Sequence, residues 1–177
     1  MITLVLGGAR SGKSAVAEAL AGRHGGPVTY VATMDPAGDS ELQARVDAHR
    51  RRRSASWTTV DATDDLAGAL ALVRGTALVD SLGPWVARFG GRAGPAEALG
   101  ATLCDVLAKR DGDTVVVSDE VGLAVHPSSA AGRHFRDALG ALNHAVSAVA
   151  DTAYLVVAGR ALELPPPGPP APPAPPA

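Results

Sequence analysis

Aromatic residues make up only 3% of the 177-residue chain. A core must therefore be built mainly from Ala, Val and Leu, and no aromatic stacking platform for a ligand is evident. A single cysteine, Cys104, excludes an internal disulfide framework and any multi-cysteine metal site. Charge of one sign is not in excess. The formal net charge is −2, so no global basic field exists for nucleic acid or an anionic membrane. No apolar run approaches the ~20 residues that span a bilayer. The short run Ile2–Leu6 lacks the basic flank of a secretory signal, so a cytoplasmic protein is expected. Lysine is nearly missing: only Lys13 and Lys109 occur, with arginine in its place throughout, as in high-GC coding.

What is present is more telling. Hydrophobic residues reach 46% and charged residues 19%, the balance of a folded domain. Of 14 prolines, nine fall in residues 165–177. That stretch cannot form helix or central strand and reads as an extended, disordered tail. The expected organisation is one domain, 1–164, followed by the tail, 165–177.

Short apolar, β-branched runs predict strands at Ile2–Leu6, Val28–Ala32, Ala77–Val79, Val115–Val117 and Ala153–Val157, with a weaker one at Trp57–Val60. Helical spacing predicts helices at Lys13–Ala21, Ser40–Arg53, Asp64–Val73, Pro95–Lys109 and Gly132–Val149. Ser40 with Gln43 has the spacing of a capping box. Pro95 suits a first helical turn. The alternation predicts an open α/β sheet with helices on both sides.

The sharpest motif is Gly7-Gly8-Ala9-Arg10-Ser11-Gly12-Lys13-Ser14, which fits G-x-x-x-x-G-K-[ST] between a strand and a helix. Its glycines let backbone N–H groups turn inward around phosphate oxygens. Lys13 would reach the β/γ-phosphates and Ser14 would ligate Mg²⁺. Asp80, at the end of a predicted strand, has the place of the acid that a phosphate loop needs near its Mg²⁺; a helix N-cap is the alternative. Asp119 and Glu120 also follow a strand, where ligands bind in open α/β sheets.

The predicted second helix ends Arg45-Val46-Asp47-Ala48-His49-Arg50-Arg51-Arg52-Arg53. Leu42, Val46 and His49 share a stripe, so His49 can be a packing residue and the arginines a solvated terminus favoured by the helix dipole. Alternatively, the arginines hold a triphosphate and neutral His49 attacks it. Neighbouring arginines would lower the histidine pKa and the helix C-terminus would raise it. The other histidines, His24, His126, His134 and His144, lack metal-ligand spacing.

Taken together, these segments resemble one family: the bifunctional adenosylcobinamide kinase/adenosylcobinamide-phosphate guanylyltransferases of adenosylcobalamin biosynthesis. The resemblance rests on Gly7–Ser14 with Ala17-Glu18, on Tyr30-Val31-Ala32-Thr33, and on Arg45-Val46-x-x-His49 with Trp57-x-Thr59. It continues in Glu120-Val121-Gly122, Arg133-x-Phe135-Arg136-Asp137 and Gly140-x-x-Asn143. It implies a RecA-like P-loop fold, with a mostly parallel sheet flanked by helices. It implies phosphorylation of adenosylcobinamide by ATP or GTP, then GMP transfer from GTP through a guanylylated histidine, here His49. Gly7–Ser14, Thr33, Met34, Asp35, Arg50, Arg51, Arg52 and Arg53 would line the GTP site, with Asp61 and Asp80 as acidic nucleotide contacts. The partner implied is a corrinoid substrate and the assembly a homotrimer, with neither nucleic acid nor membrane insertion. The chain departs from the family pattern at Asp61 (often Glu), at Ser81-Leu82-Gly83-Pro84 (commonly Cys-Leu-Thr), at Asp119 (usually Asn), at Ala124 (usually Gly) and at His144 (usually Gln). Two other functions fit the phosphate loop alone: a kinase for another small molecule, and a nucleotide-binding module without turnover.

Overall fold

A computed structural model describes residues 1–36, 38–89, 93–166 and 168; the side chains of Glu41, Leu42, Arg45, His49, Arg52 and residues 93–97 lie outside that description. The expected tail, 165–177, thus lies almost wholly outside the described residues.

Seven strands form one sheet: β1 Ile2–Gly7, β2 Val28–Ala32, β3 Thr58–Asp61, β4 Thr76–Asp80, β5 Thr114–Asp119, β6 Thr152–Val157 and β7 Arg160–Leu164. The order across the sheet is β3-β2-β4-β5-β1-β6-β7. All neighbours are parallel except the β6–β7 pair. The α-helices are α1 Lys13–Ala21, α2 Ser40–Arg52, α3 Leu66–Leu72, α4 Leu82–Ala87, α5 Ala93–Lys109 and α6 Ala130–Val149. The α/β architecture expected from the alternation is the one observed.

Side-chain alternation sorts the core into two layers. Leu4, Val79 and Val116 meet Leu66, Leu70, Trp85, Leu103, Leu107, Leu139 and Val146 on the face covered by α3–α6. Val5, Leu78, Val115 and Val117 meet Ala17, Ala21 and Tyr30 on the face covered by α1. Each fully buried leucine contributes on the order of 1.5–3 kcal/mol. The small residues Ala17 and Ala21 let α1 lie close to the strands, which presses its first turn against the sheet edge.

Three local expectations are corrected. The capping box does not form: α2 begins at Ser40 itself, and the Gln43 N–H bonds the Asp39 carbonyl at 2.9 Å. The Gln43 amide donates to Asp47 instead, at 3.0 Å. A short helix, α4, occupies Leu82–Ala87, absent from the predicted helices although the N-cap alternative at Asp80 allowed one there; Ser81, not Asp80, is its N-cap residue. Strand β7 was also missed. Ala158 and Gly159 both adopt positive φ (50° and 77°), which makes a two-residue hairpin turn between Val157 and Arg160.

Candidate active site

The C-terminal ends of the parallel strands bring Gly7, Ala32, Asp61, Asp80 and Asp119 to one edge of the sheet. From Gly7 the chain turns into α1 through the phosphate loop. An added Cβ at Gly7 would stand 2.5 Å from Ser11 Oγ and 2.7 Å from the Val156 carbonyl, so only glycine fits. Gly12 caps α1 with φ 93°, a left-handed conformation costly for other residues. The loop's carbonyls are tied down from outside: Gly7 O accepts from Glu120 N at 3.1 Å, and Ser11 O accepts from Gly159 N at 2.8 Å. The missed hairpin therefore buttresses the loop. With α1's N-terminus behind it, the loop has the polarity that favours phosphate.

Lys13 closes this cradle. Its ammonium lies 2.6 Å from Asp119 Oδ1 and donates to Gly8 O at 3.3 Å. Asp119 is held in turn. Its carbonyl accepts from Asn143 Nδ2 of α6 at 3.0 Å, while Asn143 Oδ1 accepts from buried Ser118 at 2.6 Å. Gly83 backs the carboxylate, since a Cβ there would overlap Oδ2.

Among the described residues, Ser14 and Tyr30 both donate to Asp80, Ser14 to Oδ1 at 3.3 Å and Tyr30 to Oδ2 at 2.8 Å. Tyr30 is 3% exposed. Burial, reinforced by the Asp80 charge, pushes its phenol above the usual tyrosine range against a weaker opposing pull from Arg53. Do Ser14 and Asp80 fit a Mg²⁺ ion? Adjacent vertices of an octahedron with ~2.1 Å bonds are about 3.0 Å apart. The two hard oxygens already stand nearly that far apart, so they fit.

The remaining sequence-derived residues fall in different surroundings. Thr33 is fully buried, and its hydroxyl both accepts from Ser81 N at 2.9 Å and donates to Ser81 O at 2.5 Å. It thus meets the site through the residue after Asp80. Met34 is half-buried and Asp35 exposed beyond it. Arg10 is exposed with φ 58°. His49 lies in the last turn of α2, and its side chain and that of Arg52 are outside the described residues. Arg50 and Arg51 are exposed. Arg53, just past the helix, lays its guanidinium 3.1 Å from the Tyr30 ring centroid. Asp61 ends β3, two strands from Asp80, and accepts from Thr63 N at 2.9 Å. The open depression beside it, about 670 Å³, is lined by Asp61, Asp64 and Asp65. Those carboxylates already serve Thr63, Arg88 and Gly68, and they would repel a triphosphate. The glycine-rich loop and Lys13 lie elsewhere on the edge.

Two contributors escaped the site assignment made from sequence. Asp119 was weighed as a metal or nucleotide acid without being assigned to the site, and Tyr30 appeared only within a motif. Their signal is register: Tyr30 stands opposite Leu78 and Ala32 opposite Asp80, which puts Tyr30 and Asp80 on one face, two residues apart.

Comparison with known proteins bears on what this edge does. Residues 3–164 match the family described as cobinamide kinase / cobinamide phosphate guanyltransferase. The bifunctional adenosylcobalamin biosynthesis protein CobP of Pseudomonas aeruginosa is 37% identical, over 93% of this chain and 97% of that protein. The corresponding CobU proteins of Escherichia coli and Salmonella typhimurium are each 35% identical, over 90% of this chain and 97% of theirs. Among solved structures, the P4 protein from bacteriophage phi6 in complex with ADP gives a TM-score of 0.44 at 19% identity. The match covers 90% of this chain and spans about half (52%) of that one.

Proposed function

The chain belongs to the cobinamide kinase / cobinamide phosphate guanyltransferase family, and we propose that the sheet edge around Lys13 runs both reactions on adenosylcobinamide. The observation that carries this reading is the convergence of the loop, Lys13, Ser14 and Asp80 at one point. In the first reaction the substrate hydroxyl attacks the γ-phosphorus of ATP or GTP. The bond to the β-bridging oxygen breaks, the nucleoside diphosphate leaves, and the hydroxyl proton is released. Loop N–H groups and Lys13 hold the β/γ oxygens, where charge builds. Ser14 and Asp80 would hold Mg²⁺, which would neutralise the same oxygens.

In the second reaction His49 is the nucleophile. Its neutral ring nitrogen attacks the α-phosphorus of GTP, and pyrophosphate leaves. A phosphate oxygen of adenosylcobinamide phosphate then attacks that phosphorus and frees the histidine, giving adenosylcobinamide-GDP. Arg50, Arg51 and Arg52 flank His49 on the last turn of α2 and would screen the triphosphate. Thr33, Met34 and Asp35 would complete the nucleotide site, with Asp61 meeting the nucleoside rather than the phosphates, and three copies would form the enzyme. Sedimentation velocity reads that last point.

GTP labelled at the α-phosphate tests the central claim. The protein is expected to take a covalent label that acid removes and alkali spares, and His49→Ala should take none. Absence of label under conditions where GTP binds would refute the guanylyl-histidine. Phosphorylation of cobinamide by such an unlabelled protein would leave a kinase alone.

A further inference from the structure

Tyr30 has no part in the chemistry described so far. Its place is nonetheless specific. Asp80 lies two residues along β4 from Leu78, the residue opposite Tyr30, about 6.6 Å of strand rise, which is within the reach of a phenol. The hydroxyl therefore arrives at the carboxylate of Asp80 on the neighbouring strand rather than in solvent. The two carboxylate oxygens are thereby divided: Oδ2 accepts a hydrogen bond from Tyr30 and Oδ1 accepts one from Ser14. From the same strand end, Thr33 pins both the N–H and the carbonyl of Ser81. Above the ring lies Arg53, the residue that follows α2.

We propose that Tyr30 is a positioning residue: its hydroxyl fixes the rotation of the Asp80 carboxylate so that Oδ1 stays paired with Ser14 for a divalent cation, and Arg53 clamps the ring. The clamp ties the end of the helix that carries His49 to the cation-binding pair. This rests on the reading of Asp80 given above. A tyrosine that only filled the core would need its ring and not its hydroxyl. Outer hydrogen-bond partners of metal-binding carboxylates matter because they fix the orientation of the ligand before the ion arrives.

Tyr30→Phe separates the two roles, since it keeps the ring and removes one oxygen. The probe is Mn²⁺, titrated by electron paramagnetic resonance into the full chain with a non-hydrolysable GTP analogue. Tyr30→Phe is expected to weaken Mn²⁺ binding about 10- to 100-fold and to leave analogue binding in EDTA unchanged. Mn²⁺ affinity equal to wild type overturns the proposal. Equal weakening of analogue binding in EDTA overturns it too, because the loss is then structural. Asp80→Asn tests the premise separately. If it leaves Mn²⁺ affinity untouched, the reading of Asp80 has failed; if it lowers affinity and Tyr30→Phe does not, only the role of Tyr30 has. Should Tyr30→Phe not fold, Arg53→Met carries the test, because it leaves Tyr30 intact. A smaller loss of Mn²⁺ affinity is then expected, and no change refutes the clamp.

Discussion

The Tyr30 phenol has a second consequence, in alkali. In the unfolded chain a tyrosine ionises near pH 10. Burial first, and the Asp80 charge second, hold the folded group above that value. A group whose folded pKa is raised contributes stability that is complete below the unfolded pKa and is lost as pH rises beyond it. The window here therefore opens near pH 10 and extends upward. Urea unfolding of wild type and Tyr30→Phe at a series of pH values checks it. The difference between them should be constant from pH 7 to 9 and move against wild type above 10. A difference that moves the other way, or not at all, contradicts the burial assigned to Tyr30. Residues of this kind are the least legible in a sequence. Lys13 and Ser14 announce themselves because the loop's spacing is local. Tyr30–Asp80, Lys13–Asp119 and Arg53–Tyr30 join positions 50, 106 and 23 apart, and only strand register and helix placement unite them.

At the scale of elements, periodicity was a good guide where an element is long or buried on both faces. Helix α1 and strand β2 have the predicted bounds, and β1, β4, β5 and β6 extend theirs by a residue or more. What escaped were short elements whose residues are excused by neighbours. Helix α4 contains Gly83-Pro84, yet Leu82, Trp85 and Val86 bury enough apolar surface to hold it. Strand β7 is exposed along most of its length and exists because β6 offers it a ladder. The capping box failed because Asp39 took the N-cap position one residue earlier. Helix α6, by contrast, does a task that its amphipathic pattern does not advertise: Asn143 joins Ser118 to Asp119 at the end of β5. Asn143→Ala would strand the fully buried Ser118 hydroxyl and release the Asp119 carbonyl. The cost should be about 1–3 kcal/mol in denaturant unfolding. Replacing the exposed neighbour His144 by Ala should change stability by less than about 0.5 kcal/mol. Equal effects at the two positions would mean that the Asn143 bridge contributes nothing.

In the proposed mechanism the two chemistries sit on different elements of one edge. Phosphoryl transfer would use the loop between β1 and α1, with Asp80 from β4. Guanylyl transfer would need in addition a nucleophile on α2, the helix between β2 and β3. Each reaction would hold a triphosphate, so both would depend on Lys13. Only one needs a nucleophile from the protein, because in the other the substrate's own hydroxyl attacks. Single substitutions should therefore separate the activities in one direction only. Lys13→Ala should lower both by about 10²–10³-fold, the usual loss when one donor to a charged transition state is removed. His49→Ala should abolish formation of adenosylcobinamide-GDP while phosphorylation of adenosylcobinamide stays at the wild-type order. The two rates, measured on the same preparations with circular dichroism to confirm folding, decide the matter. A folded His49→Ala enzyme that loses both activities equally would show that α2 supplies binding to a shared triphosphate site rather than a nucleophile. A Lys13→Ala enzyme that keeps guanylyl transfer would show that the two reactions use separate nucleotide sites along the edge.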